Sequence, residues 1–238
     1  MNNVKILATA DPASKIESFG IPCQIETNGT AWEGTLAFGL FDNFSVNRLS
    51  SDRSYLVVMK SNGEVINLRE TNDASYWAIK QISPEELLFQ GEPGAWIGTH
   101  IWDFRNNQTT DLPDFGGHHD IEYNPKTKTY LTLVSYEREI NGTKILYDKI
   151  VEFNAKGAVL WSWDTYPSFT VDMACPFNDT WFYNGQWLPD LTHTNSLQWD
   201  VNSNSIYLNV RNLNTFCEIN KTTSELVWSC GEHGDLNC

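Results

Sequence analysis

Positive charge is scarce in this chain of 238 residues: 16 Lys and Arg stand against 30 Asp and Glu, a formal net charge of −14. Phosphate binding needs a basic stripe, and the few cations are spread along the chain, so a generic nucleic-acid partner is excluded. An acidic surface aids solubility, and any anionic ligand must be held by a local cluster working against the global field. Long apolar runs are also missing. No stretch approaches the roughly 18 apolar residues of a membrane span, and Met1–Ala10 has neither a basic segment nor an apolar core long enough for an export signal. Cys23, Cys175, Cys217, Cys230 and Cys238 form no CxxC pair and no zinc spacing. Three of them crowd the C-terminal quarter, which permits a disulfide there and equally permits buried free thiols. No window sustains a 3.6-residue period, and only Pro84–Leu88 has a short helical character. No linker rich in Pro, Gly or Ser is long enough to mark a domain boundary.

What is abundant is aromatic. Hydrophobic residues make up 41% of the chain, aromatics 13%, and ten residues are Trp. That composition is globular, and it leans towards sheet because aromatic and β-branched side chains pack well on a pleated surface. Six glycosylation sequons, at Asn28, Asn43, Asn107, Asn141, Asn178 and Asn220, exceed what chance would place in an Asn- and Thr-rich chain.

Internal self-similarity is the strongest signal. Ile121-Glu122-Tyr123-Asn124 aligns without a gap on Leu197-Gln198-Trp199-Asp200, an offset of 76 residues. Thr129 to Val134 continues the match against Ser205 to Val210, with polar turn residues between the two runs in each copy. Each copy so far is a β-hairpin. A second hairpin follows. Ile150-Val151-Glu152-Phe153 and Phe216-Cys217-Glu218-Ile219 each precede a turn, then Val159 to Trp163 and Leu226 to Cys230, which share an apolar pair followed by Trp-Ser. Four short strands closing on an aromatic make a propeller blade. The first copy is longer because Tyr136 to Tyr147 extends its central hairpin. Upstream, Tyr55–Met59 and Glu64–Leu68 flank an Asn62-Gly63 turn, Tyr76–Ile82 and Glu86–Gln90 flank Ser83-Pro84-Glu85, and Ile97–Phe104 completes that unit. The expected fold is all-β: a β-propeller of four-stranded antiparallel blades, about four blade units forming one domain over 1–238, with the clearest copies at 116–163 and 190–230.

Chemistry-bearing residues fall where one unit hands over to the next. Gly116-Gly117-His118-His119-Asp120 opens one copy and Asp190-Leu191-Thr192-His193-Thr194-Asn195-Ser196 the other. His119 and Asn195 take the same place in the repeat, so both should project towards one axis. Arg211 is expected to end the strand that follows Asn195, opposite Ser135 of the other copy, and no other cation lies between Trp199 and Lys221. Singly, these residues have ordinary roles: a turn histidine, a turn-capping Asp120, an arginine in an ion pair. Together, imidazoles, a carboxamide and a guanidinium at one propeller mouth form an anion pocket, the Arg fork suiting a tetrahedral oxyanion.

His193-Thr194-Asn195-Ser196, with Arg211 16 residues after Asn195, then Phe216 to Trp228 and Gly231, resembles the bacterial and archaeal arylsulfotransferases. His119-Asp120 and Asn220-Lys221-Thr222 fit the same pattern, and the likeness is clear over Gly116 to Asp235. The resemblance implies a six-bladed propeller that passes a sulfuryl group from a phenolic sulfate ester to a phenol through a sulfurylated histidine, with small-molecule donor and acceptor. It needs no cofactor, no metal and no nucleotide donor. It implies that Arg211, His193 and Asn195 hold the sulfuryl oxygens, that His119 lines the pocket or assists proton transfer, and that His118 contributes to binding. The accepting histidine of the family lies in a further His-Asp element after the Arg. The last histidine here, His233, corresponds to a loop between blades, so the chain reads as C-terminally incomplete. With the sequons, the resemblance implies an exported protein. The rival reading is a non-catalytic propeller serving as a binding scaffold. A quinone-dependent dehydrogenase propeller would need a metal-ligand set of Glu, Asn and Asp that cannot be assembled from this chain.

Overall fold

The structure is a computed structural model that describes residues 33–41, 53–72, 75–92, 98–170, 179–232 and 234–236. Cys23, Cys175, Cys238 and His233 lie outside the described residues. Among the described residues, seventeen strands run antiparallel to their neighbours in four meandering sheets and one hairpin. The expected blades are present. Among the described residues there is no α-helix; Pro84–Leu88 forms no helix either, since Ser83–Glu85 is a bend and Glu86 opens a strand. The chain divides into two compact units, Met1–Thr110 and Asp111–Cys238.

In the first unit, β1 (Thr35–Phe41), β2 (Arg53–Lys60) and β3 (Val65–Asn72) make one sheet. β4 (Ser75–Gln81), β5 (Glu86–Glu92), β6 (Gly98–Asp103) and β7 (Gln108–Asp111) make the next. Strand β2 shows why the sequence Tyr55–Met59 is apolar without alternation. Leu56 and Val58 pack with Leu87, Phe89, Trp102 and Phe104 of the second sheet, while Tyr55, Val57 and Met59 join Val65 and Leu68 on the opposite face. A strand covered on both faces has no polar side to show.

The second unit holds the two repeat copies. β8 (Gly117–Asn124), β9 (Thr129–Ile140), β10 (Thr143–Asn154) and β11 (Val159–Asp164) form one blade. A hairpin follows, β12 (Thr180–Tyr183) with β13 (Gln186–Pro189), and then the second blade: β14 (Thr194–Asp200), β15 (Ser205–Val210), β16 (Thr215–Asn220) and β17 (Glu225–Gly231). The 12-residue strands β9 and β10 turn at Asn141-Gly142, both at positive φ (52° and 79°), as a two-residue type I′ turn requires. The shorter copy lacks that extension.

The turns repeat with the strands. Asn124, Asn154, Asp200 and Asn220 each end a strand, and each side-chain oxygen accepts a hydrogen bond from the backbone N–H two residues on. These Asx turns are why a short polar residue closes each of these strands. The core lies between the two blades, where Leu131, Leu133 and Ile150 meet Leu197, Ile206, Leu208, Cys217 and Ile219. Burial pushes the free Cys217 thiol up to about 12, while Cys230 is disulfide-bonded.

Equivalent glutamates carry equivalent bonds: Thr129 Oγ1 donates to Glu152 at 2.7 Å, and Ser205 Oγ donates to Glu218 at 2.6 Å. Their second oxygens differ. Glu218 accepts from Trp228 Nε1 of its own blade, whereas Glu152 is paired across blades with Lys221 Nζ at 2.7 Å. Lys221 also lies 5.1 Å from the ring centroids of both Trp161 and Trp199, and Ser224 of the same turn accepts from the indoles of Trp161 and Trp163. The β16–β17 turn thus clips onto the preceding blade. Removing one member of a buried ion pair leaves the other uncompensated. Lys221→Met should therefore destabilise the protein by about 3 kcal/mol in urea unfolding, and Glu152→Gln in the same chain should restore part of that loss.

Candidate functional site

The site is built on a buried carboxylate in β10. Asp148 is 2% exposed and its carboxylate meets four donors. Oδ1 accepts from Ser135 Oγ at 2.9 Å and from His118 Nε2 at 3.0 Å. Oδ2 accepts from the Thr194 backbone N–H at 2.7 Å and from Thr192 Oγ1 at 2.9 Å. A carboxylate offers about four lone-pair sites, and all are used. Burial works to raise the Asp148 pKa, but the hydrogen bond and charge of His118 with the donors from Thr194 and Thr192 outweigh it, leaving it well below the usual carboxylate range. The Asp148 carbonyl accepts from both the hydroxyl and the N–H of Thr165, just past β11. One residue thereby ties β8, β9, the exit of β11 and the entry to β14.

That anchoring seats the histidines. In both blades the first strand is irregular at the same place, between His118 and Ile121 in β8 and between Thr194 and Ser196 in β14. The irregularity holds His119 and Asp120 in one blade and Asn195 in the other, so the repeat equivalence of His119 and Asn195 is a shared bulge. His119 has φ 59° and His193 φ 42°. Left-handed backbone at a histidine costs of order 1–3 kcal/mol and is held by its surroundings, a pattern that clusters at functional sites. Asp120 does more than cap a turn. Its Oδ1 accepts from the Ile121 N–H and its Oδ2 from the Leu197 N–H of β14, joining the two blades beside the bulges.

The side chains converge as a line of rings. His118 and His119 have centroids 5.1 Å apart, His119 and His193 5.3 Å, and His193 and Trp181 5.6 Å. Desolvation lowers the His119 pKa to about 4, helped by the neighbouring charges of His118, His193 and Arg211 and opposed by Asp148. His119 is therefore neutral at pH 7 and keeps a lone pair. Nδ1 of His193 is 2.6 Å from Asp190 Oδ2, so a neutral His193 donates from Nδ1 and presents Nε2 as its basic nitrogen.

Arg211 lies in a 3₁₀ turn, Arg211–Leu213, directly after β15. Its Nη1 donates to Asp179 Oδ2 at 2.8 Å and to Asn212 Oδ1 at 3.0 Å. Asn212 is fully buried and donates to the Asp190 carbonyl from its amide and to the Thr192 carbonyl from its backbone N–H, so it fixes the segment that carries His193. Asn195 is exposed at its bulge. His118, His119, His193 and Arg211 thus form one electrostatic neighbourhood, with Asn195 two residues along the chain from His193.

Two other chemistries can be weighed on this geometry. Ligand atoms of Asp179, Asp190 and His193 lie within 4.8 Å of one another. The Arg211 guanidinium already pairs with Asp179, and His193 Nδ1 with Asp190, so the negative charge there is met from within the chain. Ser135, His118 and Asp148 are mutually bonded, but hydroxyl and carboxylate share the same Nε2. A hydrolytic triad needs them on opposite ring nitrogens, so His118 is a positioning residue.

Sequence reasoning assigned no role to Asp148, Asn212 or Trp181, and none to Asp190 and Thr192 within the segment it singled out. Asp148 carried one signal, a carboxylate between the apolar stretches Ile145-Leu146-Tyr147 and Ile150-Val151.

A blade-built all-β fold with an imidazole and guanidinium cluster at the opening of two adjacent blades is the class these features define. Residues 41–238 match the model of the arylsulfotransferase (ASST) family, and the chain belongs to that family. No curated protein matches the chain.

Both titrating groups have folded pKa values below their unfolded ones, so each contributes stability at higher pH that is lost on acidification. For His119 the loss runs from about 6.5 down to about 4, because the unfolded chain takes up the proton first. For Asp148 it begins only as pH falls through the ordinary carboxylate range. The urea midpoint should therefore fall between pH 6.5 and 4, and His119→Gln should flatten that slope. An unchanged slope in the variant would refute the assigned titration.

Proposed function

We propose that the chain works as an arylsulfotransferase-type protein, passing a sulfuryl group from a phenolic sulfate ester to a phenol. The observation that carries this reading is the convergence of His118, His119 and His193 with Arg211 in a chain whose net charge is −14. Such a cluster gathers donors where the rest of the surface repels anions.

Sulfuryl transfer, like phosphoryl transfer, spreads charge over equatorial oxygens, and fixed donors aimed at those oxygens supply much of the catalysis. On this reading Arg211, His193 and Asn195 face the sulfuryl oxygens. His119 holds a lone pair at neutral pH and accepts the phenol proton as the acceptor oxygen bonds to sulfur and the bond from sulfur to the donor's phenolic oxygen breaks, the donor leaving as phenolate. An anion beside it raises its proton affinity, so its pKa rises from about 4 when the ester binds. His118, held by Asp148 and Ser135, keeps the His119 bulge in place. The resemblance puts the sulfuryl-accepting histidine in a further His-Asp element after Arg211, whereas His233 corresponds to a loop between blades.

One observation favours a second reading, ligand binding without transfer. Arg211 and His193 are each already engaged by a carboxylate, Asp179 and Asp190. A ligand anion must share or displace those partners.

Mixing the protein with 4-nitrophenyl sulfate and phenol and following nitrophenolate release separates the two. Turnover is the expected result, and Arg211→Ala should lower it by about 10²–10³-fold, the loss typical of one oxyanion donor. Binding of the ester by calorimetry with no nitrophenolate release would leave only the scaffold reading. A rate untouched by Arg211→Ala would remove Arg211 from the pocket.

A further inference from the structure

The hairpin β12–β13 lies between the two repeat copies and brings an aromatic residue to the histidines. It turns at Asn184-Gly185, both at positive φ, with Trp181 opposite Leu188 and Phe182 opposite Trp187. Successive strand residues point to opposite faces, so Trp181 and Tyr183 share one face and Phe182 takes the other. The Trp181 face is the docked one. Tyr183 donates its hydroxyl proton to the Ser135 carbonyl at 3.1 Å, and Leu188 is buried. The base of the hairpin is closed by the Asp190 N–H on the Asp179 carbonyl, and Asp190 bridges Leu146 of β10.

Docking holds Trp181 edge-on to His193, with 78° between the ring planes, yet leaves it 49% exposed. Half of a large, neutral, electron-rich ring therefore stays open to solvent beside the imidazoles. Two residues before it, Asp179 holds the Arg211 guanidinium. An anion cradle and an open aromatic face thus sit side by side in this unit. An aryl sulfate has the same arrangement, an anionic head joined to a flat ring through one oxygen.

We infer that Trp181 is a specificity-determining residue, an aromatic wall on which the aryl ring of the ligand stacks while its sulfate faces Arg211 and His193. The assignment rests on the sulfate-ester reading for the head group. Its own content is the assignment of Trp181 as the residue that supplies the stacking face. Phe182 and Trp187 pair with each other on the outer face, 5.5 Å apart, and take no part.

The test compares 4-nitrophenyl sulfate with methyl sulfate by titration calorimetry on the wild type, Trp181→Phe, Trp181→Leu and Trp181→Ala. Stacking of one aromatic pair corresponds to roughly a three- to tenfold change in Kd. Trp181→Ala and Trp181→Leu should lose about that much for the aryl ester and less than about twofold for methyl sulfate, with Trp181→Phe recovering most of the loss. Trp181→Leu keeps apolar bulk without the π-face, so a merely structural tryptophan would be rescued by it. Equal losses for both esters, no loss, or full rescue by Leu would each overturn the inference. If the wild type binds the aryl ester selectively but releases no nitrophenolate, the transfer reading fails while the wall stands. If it binds neither ester, both are overturned.

Discussion

A carboxylate taken out of water is tolerable only when donors meet it from every side. Asp148 is the case on which the second unit depends. Its four donors come from His118 on β8, Ser135 on β9, and Thr192 and Thr194 at the entry to β14. Moving any one of these elements would leave a buried charge short of a partner. The hydrogen bonds that make the charge affordable therefore fix where the first blade ends and where the second begins. His119 and His193 are neighbours of those donors in the chain, so the same constraint brings their rings within 5.3 Å of each other.

The two blades share a template but not a role. Both irregularities fall at the same repeat position, both glutamates accept from the same kind of hydroxyl, and the Asx turns recur. Function enters where the copies differ. One bulge carries a buried-side histidine and the other an exposed asparagine, and the position of Ser135 in one blade is Arg211 in the other. Ser135 helps to hold the buried anion, while Arg211 meets Asp179 near the surface. A duplicated scaffold thus places a neutral imidazole and a guanidinium in one electrostatic neighbourhood.

Much of this was legible in the residues. The strands of the repeat follow from alternating apolar positions and Asx or Asn-Gly turns, which are local signals. His118, His119, His193, Asn195 and Arg211 could be named because they fall at blade openings in a chain poor in cations. Asp148 could not be assigned a role, since a carboxylate between apolar strand residues does not say which donors will face it. Trp181 was illegible for the same reason: it lies between the two repeat copies, and its contact with His193 depends on Tyr183 docking the hairpin on Ser135.

By itself the sequence determined the class of architecture, the repeat, its turns and the family, because these depend on residue type and on spacing along the chain. The tertiary structure alone decided which charges are paired, that Arg211 meets Asp179 and His193 meets Asp190, and that His119 is neutral at pH 7. Burial and partners across the blades set those properties, and neither is a function of sequence separation.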